Sequence, residues 1–217
     1  FVPSRRTKRA LEAYHEAEKL KPANYVVIPY PVSQNLAKEL SAEGWEKKKS
    51  QAEENSGELV QAVIPVSGAA VQLTYFEKLI AELGQRSGKF AWEVVCKQSR
   101  YTRKFLSKLM GKKGVNLVVA REDRQVVDNY EQVYMQKSIL VEVTKPSEQA
   151  FKALIGPKCK GGAVLLFSDP VGRQEDDNIA FLRRHNLIPD QNIQASLWRG
   201  NFPEEAKQEI HGWRGLR

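Results

Sequence analysis

The sequence predicts an α/β fold, a layered sheet with helices on both faces, preceded by an N-terminal α/β extension. Three observations carry this expectation. Apolar runs of strand character alternate with segments whose apolar residues recur at helical spacing. One run, AVLLFS at 163–168, is almost wholly apolar, as a strand covered on both faces must be. The alternation becomes regular from about residue 68, which divides the chain into 1–67, an extension or small α/β unit, and 68–217, the main α/β domain.

The elements follow in order. Residues 5–20, RRTKRALEAYHEAEKL, read as a charged helix with Leu11, Tyr14 and Ala17 on one side. YVVIPYPV (25–32) reads as a short strand ended by Pro29 and Pro31, which cannot donate to a central ladder. Residues 33–45 are expected to be one helix, with Ser33 as its N-cap and Gly44 just past its end. KKKSQAEENSGE (47–58) carries no large apolar residue and is expected to be an exposed loop or linker. ELVQAVIPV (58–66) is a strand.

In 70–85, Leu73, Phe76, Leu79, Ile80 and Leu83 stand at helical spacing, and Gly84 is a reasonable stop. KFAWEVVC (89–96) is a strand, 99–111 a basic helix, 115–120 a strand and 121–136 a helix with Val126, Val127, Tyr130 and Val133 inward. SILVEV (138–143) fits either a strand or the end of a helix. A short helix over 147–156, the strand 163–168, a helix over 175–185 and a strand over 192–200 complete the pattern.

The formal charge is +8 with a pI near 9.4, a balance that points to a polyanionic partner. Two cysteines, Cys96 and Cys159, fall in a strand and a loop, so neither a structural disulfide nor a zinc set with the scattered His15, His185 and His211 is expected. No apolar run approaches the length that spans a bilayer, so no membrane partner is expected. The sequence starts at Phe1 rather than Met, as an organellar protein freed of its transit peptide would, and as a trimmed chain would.

The basic helix holds the main candidate site. Thr102, Phe105, Leu106, Leu109 and Met110 form an apolar stripe, and Arg100, Lys104 and Lys108 at i, i+4, i+8 form the opposite face, with Arg103 beside them. Arg86, Lys89, Lys97, Lys112, Lys113 and Arg121 surround that face, and Glu93 is expected to be the one acid opposing them. Such a ladder suits phosphate oxygens, whose counterions are released on binding. A solvated helix face is the plainer alternative.

Other motifs favour structure over chemistry. GPKCKGG (156–162) lacks the spacing of a phosphate-binding loop and leads into a strand, so it reads as a turn, although Lys158 and Lys160 could touch a phosphate. Asp169, Glu175, Asp176 and Asp177 suit the start of a helix better than a metal cluster. Trp92 and Trp198 sit in strand patterns and read as packing residues, and Trp213 joins them as a third aromatic able to stack on bases. No nucleophile elbow, H-E-x-x-H or zinc-deaminase pattern occurs, so neither an enzyme nor a cofactor is expected.

The succession helix, strand, basic helix, strand and helix over 70–136, then FKALIGP (151–157), AVLLFSDPV (163–171), a helix at 175–185 and IQASLWRGNF (193–202), resembles protein ten of the large ribosomal subunit, the stalk-base protein. The similarity covers about residues 71–210. It departs from that family in AREDRQVV, where an Arg-Asn-Thr-Leu helix start is lost, in some ten extra residues around 134–146, and in KCK after Gly156-Pro157. The long helix that carries stalk dimers has only EEAKQEIHGWRGLR as a counterpart, which puts the docking of those dimers in doubt.

The resemblance implies a non-catalytic RNA-binding protein of an organellar large subunit. Ribosomal RNA and neighbouring large-subunit proteins would be its partners, and the mitochondrial matrix (or a plastid) its location. A protein–protein adaptor using the basic face, and a nucleic-acid-processing enzyme with dispersed residues, are the other classes left open.

Overall fold

A computed structural model describes residues 2, 5–28, 32–53, 57–86, 89–168 and 170–187. The chain forms two compact units, Phe1–Ser33 and Gln34–Arg217. The first contains α1 (Arg5–Ala17) and a parallel bridge between Val2 and Val27. His15 of α1 meets Tyr25 Oη at 2.8 Å through Nε2. Residues 29–31 of the expected strand lie outside the described residues.

In the second unit come α2 (Gln34–Ala37), α3 (Ala42–Ser50), β1 (Val60–Pro65), α4 (Leu73–Arg86), β2 (Phe90–Lys97), α5 (Arg103–Leu109), β3 (Val115–Ala120), α6 (Asp123–Gln136) and β4 (Val141–Thr144). A 3-10 helix (Glu148–Leu154), β5 (Val164–Phe167) and α7 (Arg173–Arg184) follow. The five strands form one open parallel sheet in the order β3-β2-β1-β4-β5. The chain therefore builds outward from β1 to the edge at β3, then crosses back through α6 to the other side of β1. Residue 67, the expected domain boundary, falls between β1 and α4.

Register decides which face each side chain takes. Asn116, Glu93, Val63, Glu142 and Leu165 are partners in one row across all five strands. That row faces α6, since Tyr130 and Tyr134 of α6 donate to Glu142 Oε2, and Lys137 just past α6 pairs with Glu93. The neighbouring row of Val115, Trp92, Ala62, Val141 and Val164 faces the opposite side, where α4 and α5 pack. Helices thus cover both faces, and Ala62, Ile64, Val94, Val141, Val143, Val164 and Leu166 are essentially enclosed. Strands buried on both faces read as continuous apolar runs, which is why AVLLFS was legible.

Several local expectations change. The helix expected over 33–45 is split, because the backbone between α2 and α3 pairs instead with the loop 158–161. Leu40 N–H donates to Lys158 O at 2.7 Å, and Lys160 and Gly161 N–H donate to Lys38 O and Leu36 O at 2.7 and 2.8 Å. The Leu40 amide and the Lys38 and Leu36 carbonyls spent there cannot continue a helix. Ser33 directly precedes α2, while α3 has its own N-cap in Ser41, accepting from Gly44 N–H at 3.1 Å, so Gly44 lies inside a helix it was expected to follow.

The supposed exposed loop at 47–58 begins as helix and is partly buried. Gln51 donates to Ser138 O and accepts from Gln61 N–H, both at 2.8 Å. Lys48 is enclosed and donates to Pro157 O at 3.1 Å and to Gly162 O. The ambiguous 138–143 resolves as strand β4, the short helix at 147–156 is of 3-10 type, and the expected strand at 192–200 lies outside the described residues.

Glu142 is fully buried and also accepts from Lys152 Nζ of the 3-10 helix at 2.5 Å. Removing one member of such a pair strands the other charge away from water. Glu142→Leu is therefore expected to cost roughly 3–5 kcal/mol of stability, read from the urea midpoint. Glu142→Leu with Lys152→Met should recover most of that loss. Equal losses in the single and double variants would show that the two groups are not coupled.

Candidate nucleic-acid interface

The turn before α5 is tied by Thr102, which is buried. Its Oγ1 donates to Lys97 O at 2.6 Å and accepts from Ser99 N–H at 2.9 Å. That knot ends the strand-like backbone of β2 and turns Arg100 and Tyr101 out to solvent. From there α5 runs back along the sheet, burying Phe105, Leu106 and Leu109. Met110, expected in that stripe, is 72% exposed, because the helix stops at Leu109 and the Met110 backbone (φ −59°, ψ 127°) has left the helical region. Gly111 and Gly114 (φ 77° and 76°) shape the turn into β3, and a Cβ at Gly114 would meet Phe90 O at 3.0 Å.

The expected ladder is redistributed. Arg100 precedes α5, so it does not share a helical face with Lys104 and Lys108; its guanidinium lies 4.6 Å over the Tyr101 ring. Lys97 pairs with Asp123 at 2.7 Å and Lys108 with Glu77 at 2.6 Å, so each of these charges is already offset. Glu93, expected to oppose the basic face, is buried on the other side of the sheet with Lys137 and Asn116, the latter donating at 2.7 Å. Acids from α4 and α6 oppose the basic residues in its place. These contacts join residues far apart in sequence, which periodicity does not see.

Arg100, Arg103 and Arg121 are brought together. All three are exposed and line one open groove of about 880 Å³ between α5 and the edge strand β3. Leu106, Met110, Leu117 and Val119 supply apolar lining, and no carboxylate lines the groove among the described residues. Arg121 Nε approaches Gln98 Oε1 at 3.5 Å, a long contact that leaves the guanidinium available. Lys104 is exposed on α5, while Lys89, Lys112 and Lys113 are exposed at the amino ends of β2 and β3. The six residues of β3 separate those lysines from Arg121 by about 20 Å. Arg86 closes α4, and its side chain lies outside the described residues.

Other sequence candidates fall into structural roles. Trp92 is buried and stacks on Phe90 with centroids 5.1 Å apart, whereas Trp198 and Trp213 lie outside the described residues, as does Asp169. Glu175 accepts from Val171 N–H at 2.8 Å and pairs with Lys145 at 2.7 Å, and these contacts hold its carboxyl below the usual range against the opposing effect of burial. Among the described residues no group of three His, Cys, Asp or Glu could hold a metal. Both cysteines are free thiols, and burial pushes Cys96 up to about 11.

In open parallel sheets, ligands favour the carboxyl ends of strands where the order reverses, here between β1 and β4. Beyond the carboxyl end of β5, Ser168 donates to Gln72, which precedes α4.

Sequence reasoning passed over two features. Tyr101 is 64% exposed beneath the Arg100 guanidinium, and its one signal in the sequence is the Arg-Tyr pair in SRYT. Lys48 had no signal in KKK. Burial pulls its ammonium down to about 7, helped by the charge on Lys152 and opposed by Cys159; Lys152 itself is pulled down to about 8 by burial, against the favourable charge of Glu142. No helix among the described residues is long and apolar enough to cross a membrane.

No family model matches the sequence, and comparison with curated proteins and with solved structures finds no match.

The two lysines set a pH dependence. An unfolded lysine keeps its proton to about 10.5, while folded Lys48 gives it up near 7. Unfolding therefore takes up a proton across that window, and stability rises with pH from about 7 towards 10. Lys152 adds to the slope above about 8, and the penalty is fully present below pH 7. Lys48→Met should reduce the proton uptake of unfolding by about one, seen as a flatter plot of unfolding free energy from urea titrations at pH 7, 8 and 9. Parallel slopes in the two proteins would remove Lys48 as the cause.

Proposed function

We propose that this chain is a non-catalytic RNA-binding protein, a structural component of an organellar large ribosomal subunit at the stalk base. The observation that supports it best is the groove of Arg100, Arg103 and Arg121, three exposed guanidinium groups with no carboxylate in the described lining. Guanidinium groups meet phosphate oxygens in a bidentate fork, are weakly hydrated and stay charged at all working pH values. Lys104, Lys112 and Lys113 extend the positive surface along the same edge of the sheet. The overall charge of +8 would speed the approach of any polyanion.

The particle rests on the resemblance over residues 71–210, with ribosomal RNA and adjacent large-subunit proteins as partners and the mitochondrial matrix as location, or a plastid. Stalk dimers are not part of the proposal.

Arg100→Glu, Arg103→Glu and Arg121→Glu, combined, should abolish preferential binding of folded stalk-base ribosomal RNA while leaving the urea midpoint unchanged. The salt slope, log affinity against log salt, should become shallower by about 2–3. Lys97→Ala and Lys108→Ala, whose charges are offset within the protein, should change affinity less than the arginines do. Equal binding of ribosomal RNA, unrelated RNA and an acidic protein, before and after reversal, would sink the reading in favour of a solvated face.

A further inference from the structure

We infer that the groove between α5 and β3 receives one unpaired RNA nucleotide, its base on the apolar floor against the open edge of β3 and its phosphates on the rim arginines. The inference deepens the RNA-binding reading and rests on it.

The strand edge supplies the first reason. Ala120 O accepts from Gln98 N–H at 2.7 Å, and Gly114 O accepts from Trp92 N–H at 2.8 Å, so the even-numbered residues of β3 point their backbone groups at β2. A strand alternates, so Leu117 and Val119 direct N–H and C=O outward, away from the sheet. Among the described residues β3 is the last strand on its side, and its outward groups lie at that edge. The side chains of these two residues line the groove. Apolar side chains and outward-directed backbone donors and acceptors therefore meet at one place.

The second reason is what such a combination recognises. A nucleobase has two apolar faces and an edge on which hydrogen-bond donors and acceptors lie side by side. Leu106, Leu117 and Met110 suit the faces, and the N–H and C=O groups of Leu117 and Val119 suit the edge. Every base carries both kinds of group on its pairing edge, so this readout tolerates sequence. Arg100, Arg103 and Arg121 are placed for the flanking phosphates, and the absence of carboxylates from the described lining removes the repulsion a polyanion would otherwise meet. The volume of about 880 Å³ is ample for a nucleotide. Beside Arg100, the exposed Tyr101 ring offers a further stacking surface to a neighbouring base.

Regular duplex RNA cannot fill the groove, because its bases are stacked and its deep groove is closed to side chains. The occupant must come from a bulge, loop or strand end. An extended acidic peptide adding to β3 would use the backbone edge too. Three arginines over an apolar floor fit a phosphate–base–phosphate unit better than a peptide whose acidic side chains alternate between the two faces of a sheet.

The experiment uses the full chain and three RNA hairpins that differ at one position: a single-nucleotide bulge, the same bulge carrying an abasic sugar, and the helix with the bulge deleted. Affinities are measured at one fixed salt concentration, with 2-aminopurine at the bulge as an optical report of its surroundings. The expected result is about tenfold weaker binding of the abasic and deleted hairpins, with a change in 2-aminopurine fluorescence on binding of the first. Arg103→Glu should weaken all three. Leu117→Trp, which fills the floor, should erase the preference for the base, and the abasic comparison stands even if that variant fails to fold. Equal affinity for the three hairpins, all weakened by Arg103→Glu, would overturn the inference and leave the RNA-binding reading intact. Binding of an acidic strand-forming peptide, with no binding of any hairpin, would overturn both.

Discussion

Glu142 is a carboxylate shut away from water in the middle of a strand, and its need for donors organises one whole face of the sheet. Burying such a group is costly unless hydrogen bonds and an opposite charge replace its hydration. Here two tyrosine hydroxyls from α6 and the ammonium of Lys152 converge on one oxygen, which joins β4, the returning helix and the 3-10 helix at a point. Glu93 repeats the device two strands away in the same row, drawing Lys137 and Asn116 to β2. Together they hold α6 over β2 and β3 on one face. With α6 committed there, α4 and α5 must cover the other face, and β3 is left as the edge. The groove is a consequence of that commitment. A seven-residue α5 laid against the last strand leaves part of its apolar surface open, where a longer helix would cover more of it.

A second polar anchor organises the opposite end of the sheet. The ammonium of Lys48 is held by the carbonyls of Pro157 and Gly162, at either side of the loop that leads into β5. The loop can close so tightly only because of its glycines. A Cβ at Gly161 would lie 2.6 Å from the Cβ of Leu36, and one at Gly162 would collide with the carbonyl of Gly156. The phosphate-loop appearance of GPKCKGG thus has a different origin. Its glycines make room for neighbouring side chains and backbone, and the cation they surround belongs to the protein.

What was legible from the residues was what one element decides for itself. The apolar run VNLVVA reads as a strand at 115–120, and five apolar residues at helical spacing mark α4. An element is not legible where a distant partner settles the outcome. Lys48 and Gln51 look solvated in KKKSQ, yet the carbonyls of Pro157, Gly162 and Ser138 draw them inside. The helix expected over 33–45 breaks because residues 158–161 capture the Leu40 amide and the carbonyls of Leu36 and Lys38. In the candidate site, the basic character was visible in the chain but its distribution was not. No local rule says that Lys97 meets Asp123 or that Lys108 meets Glu77, or that Arg121, thirteen residues beyond Lys108 in the sequence, shares a groove with Arg100.

That redistribution changes what the positive face can do. A uniform ladder of lysines would act as a diffuse field, felt by any polyanion and screened within about 8–10 Å at ordinary salt. Here two of the lysines are offset by carboxylates, and the positive charges converging on the groove are guanidinium groups set beside apolar side chains. Low-polarity walls reduce the local dielectric response, so a phosphate seated there would feel each arginine more strongly than one at an open surface. The planar fork also holds a phosphate in a definite orientation, which a compact ammonium does not. Charge at this edge is therefore arranged for position as well as for attraction. A ligand that matches both the arginines and the apolar floor gains from each, whereas one that matches the charge alone is left with the part that salt removes most easily.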